Sequence, residues 1–316
     1  MKKLLIVLLT FAALSIAAVY IFIPNIINFR CSVSVGAPQQ ALYRAIGEDN
    51  NWEGWWPGES KPDTGKAGNW LYSYNGVTYR PTKKTATSLF FLNNTKKSNA
   101  ESLLTFIHVK QDSTNFVWDA AVPTSYNPIK RLQIYFDVKN LKNNFNSILQ
   151  KIKTFFSVTG NLYEFNIRNE KVVDSNLVST FENTKDYPTM EFAYSLIDKL
   201  KQYISSKGAK ETGYPMLNIS TTDNITWLTR VAVPADKKLE SSGNISYKWM
   251  LGGGNILITE VNGGPGRINK AMEQVENYIK DYQRIAAAIP FQSLVTDRRT
   301  VTDTSKWITR IYYPVI

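Results

Sequence analysis

Two arginines occupy the same place in a stretch that is written twice. Trp227-Leu-Thr-Arg230-Val-Ala232-Val-Pro234 returns as Trp307-Ile-Thr-Arg310-Ile-Tyr312-Tyr-Pro314, with Trp, Thr, Arg and Pro on the same four positions. A guanidinium presents a planar fork of donors that grips carboxylate, sulfate or phosphate through two bonds at once, so the chemistry open to this pair is recognition of an anionic head group. The alternative for each arginine is a surface pair with an acid on a neighbouring strand, which contributes little. Bond-breaking chemistry is thinly supplied. One histidine, His108, and one cysteine, Cys31, can assemble neither a Cys/His metal cluster nor a nucleophile-histidine-acid set, and no metal or cofactor is expected. Glu260 aligns with Phe181 of the first copy, and an acid in that place hints weakly at hydrolysis in a cleft. The runs Gly252-Gly-Gly254 and Gly263-Gly-Pro-Gly266 lack the Lys-Ser/Thr that completes a phosphate loop and read as turns, the second leading into a helix N-terminus.

Alternation and β-branched content make each copy a strand that leaves its sheet at the proline. Residues two apart share a face, so Trp227, Thr229, Val231 and Val233 fall on one side and Leu228, Arg230 and Ala232 on the other; Arg310 sides with Ile308 and Tyr312. With the apolar side on a core, both arginines look onto the open face, and Tyr312 and Tyr313 could wall a cleft beside Arg310. The match also spreads outward. Tyr214 to Thr221 aligns with Ile289 to Thr296, Asn176 to Asn183 with Asn255 to Asn262, and Gly160-Asn-Leu162 with Gly243-Asn-Ile245. Each copy predicts strand, helix, strand, strand. The helices are amphipathic, through Met190, Ile197, Leu200 and Ile204 in one and Ile268, Met272, Val275 and Ile279 in the other. Two such units bury those faces against a shared sheet about a pseudo-twofold axis, with a cleft between the halves.

The ending Trp307 to Val315, the helix after Gly263–Gly266 and the duplicated β-α-β-β plan resemble the GyrI-like effector-binding family over about residues 160–316. The resemblance implies a small-molecule cleft on the open sheet face, with Arg310, Tyr312, Arg230, Glu260, Tyr247 and Trp249 as its candidate ligand-binding residues. One position departs from the family, which frequently carries a Glu meeting cationic ligands where this chain has Arg310. Paired arginines turn the expectation toward an anionic amphiphile.

Ahead of this region, Lys2-Lys3 precede an apolar run from Leu4 to Ile23, and ~20 such residues match the hydrocarbon core of a bilayer. The bulky stretch Val19 to Ile23 argues for an uncleaved anchor over a signal peptide. Lys2 and Lys3 would stay in the cytoplasm, which sets the remainder in the periplasm or outside the cell. The net charge of +11 is scattered in lysine pairs and at helical spacing, the pattern of solvated faces. A tethered, exported domain meets no genome, so nucleic acid is not an expected partner.

From Phe29 the chain reads as a strand, a helix over Ala37–Ile46, and the stretch Trp52-Glu-Gly-Trp55-Trp56-Pro57. Strand-type runs follow at Trp70–Tyr74, Val77–Arg80, Thr87–Leu92, Ser102–Val109, Asn115–Val122 and Ile129–Phe136, and an amphipathic helix bearing Leu141, Phe145, Ile148, Leu149, Ile152 and Phe155 closes the unit. That order, with its tryptophan stretch, resembles the helix-grip family of START-like and polyketide-cyclase-like proteins (SRPBCC) over roughly Phe29 to Phe156. The resemblance implies a cavity for an apolar ligand between sheet and long helix. Trp52, Trp55, Trp56, Tyr72, Tyr74, Phe91, Phe106 and Trp118 are its candidate lining, and ordinary core aromatics are the competing reading.

The expectation is therefore an α+β chain with an anchor at 1–27, a helix-grip domain at 28–158 and an effector-binding domain at 159–316, whose repeats span 160–236 and 243–316. Its expected role is a membrane-tethered binder that senses or sequesters a small amphiphilic, anionic molecule. A hydrolase or cyclase would need an acid or base with a perturbed pKa in one of the clefts. A non-catalytic adaptor would use the same folds only as surfaces.

Overall fold

Helix α1 (Lys2–Phe22) opens the computed structural model, which describes residues 2–48, 52–63, 70–221, 223 and 225–316. The helix is apolar and long enough to cross a membrane, and none of its residues is buried. The chain divides into two units, Met1–Val158 and Thr159–Ile316.

In the first unit α1 is followed by β1 (Ile26–Val35), α2 (Gln39–Tyr43), a wide helical turn at Arg44–Glu48, β2 (Glu59–Pro62), β3 (Trp70–Tyr74), β4 (Val77–Thr85), β5 (Ser88–Asn94), β6 (Asn99–Lys110), β7 (Ser113–Pro123) and the long helix α3 (Pro128–Phe156). The strands form one antiparallel sheet in the order β1-β7-β6-β5-β4-β3-β2, so the N-terminal strand closes onto the last strand of the meander. Phe145 of α3 reports the shape of this sheet. Its ring contacts Phe29 of β1, Trp118 of β7 and Tyr79 of β4, at centroid distances of 5.3, 3.9 and 6.2 Å. Strands that far apart in the order reach one ring only if the sheet curls around the helix.

The run Ile129–Phe136, expected as a strand, forms the first turns of α3 instead. Asn127 caps the helix by accepting from the backbone N–H groups of Ile129 and Lys130, and Pro128 sits in the first turn, where its missing N–H costs nothing. The apolar and aromatic content of the run misleads here because apolar side chains lie on both faces of the helix. The expected helix over Ala37–Ile46 is likewise shorter, ending at Tyr43 and continuing as the wide turn.

The second unit runs α4 (Thr159–Tyr163), β8 (Arg168–Lys171), β9 (Ser175–Thr184), α5 (Met190–Ser206), β10 (Met216–Thr221), β11 (Trp227–Ala235), β12 (Ser246–Met250), β13 (Asn255–Asn262), α6 (Pro265–Asp281), β14 (Phe291–Leu294) and β15 (Ile308–Val315). All eight strands join one sheet, in the order β12-β9-β11-β10-β14-β15-β13-β8. Its register reproduces the repeat residue by residue. Arg230 lies opposite Phe181 and Asn218, and Arg310 opposite Glu260 and Ser293. At the centre Leu217 pairs with Gln292, which is its own equivalent in the other copy, so the pseudo-twofold axis passes between these two residues. Helix α5 packs on β9 and β11 and helix α6 on β13 and β15, burying Val231, Val233 and Ile311 beneath them.

The repeat unit holds one strand more than strand, helix, strand, strand, and that strand is exchanged. Strand β12 of the second copy pairs with β9 of the first, while β8 of the first pairs with β13 of the second. Ser246 lies opposite Ser179 and Arg168 opposite Ile258, which makes Ser246 and Arg168 equivalents. Gly160-Asn-Leu162 consequently does not match Gly243-Asn-Ile245 in space; the first lies in α4, whereas Gly243 stands in a turn at φ 59°.

Divergence between the copies leaves its mark in the core. Thr229 and Thr309 are equivalents, both fully buried. The Thr309 hydroxyl accepts a hydrogen bond from the buried guanidinium of Arg298 at 3.0 Å, whereas the Thr229 hydroxyl has no partner among the described residues. Thr229→Val should therefore stabilise the chain by about 1 kcal/mol, and Thr309→Val should destabilise it by ~1–3 kcal/mol through loss of an acceptor for a buried charge. Urea unfolding of the two variants, read side by side, should give shifts of opposite sign.

Candidate functional site

The face of the second sheet opposite α5 and α6 carries two clefts, one on each side of the pseudo-twofold axis. Met216 and Phe291, equivalents in the repeat, line both of them. The larger cleft, about 580 Å³, is built from Arg230 and Ala232 of β11, Lys248 and Trp249 of β12, and the apolar side chains of Leu251, Ile289 and Ile316. Its smaller counterpart, about 260 Å³, replaces Ala232 with Tyr312.

That single difference accounts for much of the asymmetry. The Tyr312 ring lies flat on Phe291, with centroids 4.8 Å apart and planes within 8°, and occupies space that the Ala232 methyl leaves open. A stacked aromatic pair of this kind is favourable beyond the area it buries.

The two arginines differ in their partners for a reason readable on the opposite strand. Across from Arg310 stands Glu260, and the guanidinium Nε donates to Oε2 at 2.9 Å, which raises the arginine pKa above its ordinary value. The pair is half exposed, a setting in which an ion pair contributes little. Across from Arg230 stands Phe181, which cannot accept. Arg230 Nη1 instead donates to Asn218 Oδ1 at 3.0 Å and Ser220 Oγ at 2.8 Å, two neutral acceptors that orient the guanidinium without cancelling its charge. Arg230 has no carboxylate partner among the described residues. Lys248 is the second charged side chain lining the larger cleft, and among the described residues no Asp or Glu lines it.

The sequence-expected residues divide accordingly. Arg230 and Trp249 line the larger cleft and Tyr312 the smaller, whereas Arg310 and Glu260 bind each other and line neither. Tyr247 also lines neither cleft; its hydroxyl donates to Asn176 Oδ1 at 2.9 Å. Tyr313 turns to the helix side, where it donates to Glu276 at 3.0 Å and burial pushes its pKa up. Lys248, Leu251, Ile289 and Ile316 were not singled out from the sequence. Lys248 stands beside Trp249 in β12, a strand whose exchange between the copies could not be foreseen.

In the first unit Trp52, Trp55, Trp56, Tyr72, Phe91, Phe106 and Trp118 are buried and Tyr74 half-buried. Many of their rings touch: Trp52 stacks on Tyr72 at 4.2 Å, Trp56 meets Tyr72 and Tyr79, and Phe91 meets Trp118. Trp52 and Tyr72 also border a surface cleft of about 230 Å³ beside Lys83 and Lys84. His108 lies on the exposed end of β6, away from the aromatic core.

No family model and no curated protein matches the chain. Among solved structures it is similar to the C-terminal domain of EcmrR, at 14% identity and a TM-score of 0.42, over 48% of this chain and 98% of that one. SAV2435 bound to tetraphenylphosphonium is similar at 19% identity and a TM-score of 0.31, over 48% and 93% of the two chains. The Zhui aromatase/cyclase from Streptomyces sp. R1128 is similar at 10% identity and a TM-score of 0.33, over 43% and 98%. These are distant likenesses, and neither ligand nor activity passes from those proteins to this chain.

Exchanging the residues that set cleft size should exchange the sizes. In Ala232→Tyr the larger cleft should close toward the volume of its twin and enhance the fluorescence of an apolar dye such as anilinonaphthalene sulfonate less than the parent does. Tyr312→Ala should act in the opposite sense, and a dye response unchanged in both would place the bound dye elsewhere.

Proposed function

We propose that the chain is a membrane-tethered small-molecule-binding protein whose larger cleft takes an amphiphile with an anionic head group. On this reading α1 is the anchor, the first unit is a helix-grip domain and the second a GyrI-like effector-binding domain, with both held in the periplasm or outside the cell. The observation that carries the proposal is the lining of the larger cleft: two cations, Arg230 and Lys248, no Asp or Glu among the described residues, and an apolar wall of Trp249, Leu251, Ile289 and Ile316. An anionic head group satisfies the free donors of Arg230 by charge-assisted bonds, and an apolar tail covers side chains that otherwise face water. Arg230 takes the role expected of Arg310, because Glu260 already neutralises the latter. Concave, mostly apolar sites with a few fixed polar groups are the usual form of small-molecule sites.

Binding of a fluorescent fatty acid and of a rhodamine-type cation to the full-length protein in detergent tests this assignment. The parent should prefer the fatty acid. Arg230→Glu should lose ~1.5–3 kcal/mol toward it, tenfold or more in affinity, and gain toward the cation. Arg310→Gln should leave both affinities nearly unchanged. Equal affinities in the parent and in Arg230→Glu, with folding intact, would remove Arg230 from the site.

A further inference from the structure

We propose that the first turns of α3 form a second membrane contact, an apolar and aromatic face lying among the lipid head groups beside the point where α1 leaves the bilayer. The proposal rests on reading α1 as a membrane anchor.

Helix α3 changes character along its length. One face, through Ile134, Val138, Leu141 and Phe145, is buried throughout. On the opposite face Ile129, Leu132 and Phe136 stand at helical spacing and are 68%, 41% and 57% exposed. Tyr126, just ahead of the helix, is 89% exposed, and Tyr135 flanks the stripe. Beyond Phe136 the same stripe continues as Asn140 and Asn143, both exposed. A helix apolar on both faces belongs where neither side meets bulk water. Only the first turns of α3 have that composition.

Contacts to α1 fix where those turns lie. The 21 residues of α1 span about 31 Å at 1.5 Å each, close to the ~30 Å of a bilayer core, so a helix entering at Lys2 leaves near Tyr20–Phe22. The Tyr20 hydroxyl donates to the Tyr126 carbonyl. Arg131, almost fully buried, donates through Nε to the Ile23 carbonyl at 2.9 Å and through Nη2 to Asn25 Oδ1 at 3.0 Å, and its guanidinium stands 5.0 Å from the Tyr20 ring. The last turn of α1 has no basic residue of its own, so Arg131 supplies the positive charge that a helix C-terminus favours. These bonds clamp the start of α3 to the end of the anchor and hold both at one depth. Tyrosine suits the head-group layer, and the exposed Lys130 and Lys139 can reach lipid phosphates there with their apolar stems along the interface.

Full-length protein in vesicles of phosphatidylcholine and phosphatidylglycerol tests the proposal through lipid-borne quenchers. Single cysteines carrying an environment-sensitive dye are placed by Ile129→Cys, Phe136→Cys, Asn143→Cys or Leu14→Cys, each in a Cys31→Ala background. Nitroxide near the head group should quench the dyes at 129 and 136 several-fold more than the dye at 143, and nitroxide deep in the chains should quench the dye at 14. An unquenched dye at 14 would overturn the anchor reading and the docking face with it. Quenching at 14 together with equal, weak quenching at 129, 136 and 143 would overturn the docking face alone. A blue-shifted dye at 129 or 136 that lipid nitroxide does not reach would mean that protein, such as a second copy, covers the face, and would equally overturn the proposal.

Discussion

Neither half of the second unit can finish its own sheet, and that constraint governs the unit. Strands β9 and β13 each present an edge of backbone N–H and C=O groups that the same half does not fill. The missing strand comes from the other copy in both cases, β12 onto β9 and β8 onto β13. An unfilled edge would leave a row of bonding groups for any passing strand. Reciprocal exchange covers both of these edges, leaving the short strands β12 and β8 at the ends of the sheet, and joins the halves through backbone bonds on the outside as well as through β10 and β14 at the centre.

Because the scaffold is held by backbone pairing, the open face is free to diverge. Four equivalent positions show how far it has gone: Phe181 against Glu260, Asn218 against Ser293, Ala232 against Tyr312, and Lys248 against Glu170. The second copy neutralises its arginine and fills its cleft with a stacked ring. The first holds its guanidinium with neutral acceptors, adds a lysine and leaves the room open. A symmetric frame thus carries two unlike recesses.

Much of this was legible in the sequence, for definable reasons. Alternation in β11 and β15 shows which side chains meet the core, because a strand has only two faces and one of them is apolar apart from Thr229 and Thr309. The alignment of Pro215 with Pro290 and of Arg230 with Arg310 carried the register. What escaped depended on contacts distant in the chain. Arg168-Asn-Glu-Lys171 has no apolar residue and gives no strand signal, so β8 was invisible until its partner β13 was seen. The ranking of the arginines likewise required knowing that Glu260 binds the guanidinium opposite it whereas Phe181 cannot, and that Tyr312 fills its own cleft. Ile129–Phe136 reads as a strand because its apolar residues serve two environments, one facing the sheet and one facing outward.

The composition of β8 has a meaning in the order of synthesis. Lys171 and its strand partner Asn255 are 84 residues apart, so β8 leaves the ribosome well before anything exists for it to pair with. At translation rates of about 5–20 residues per second that interval is roughly 4–17 seconds. An apolar, β-branched strand left unpaired for so long would be an aggregation hazard on a nascent chain. Four charged or amide side chains keep the waiting segment soluble and indifferent to wrong partners, at the cost of weak intrinsic strand propensity that the arriving β13 must supply.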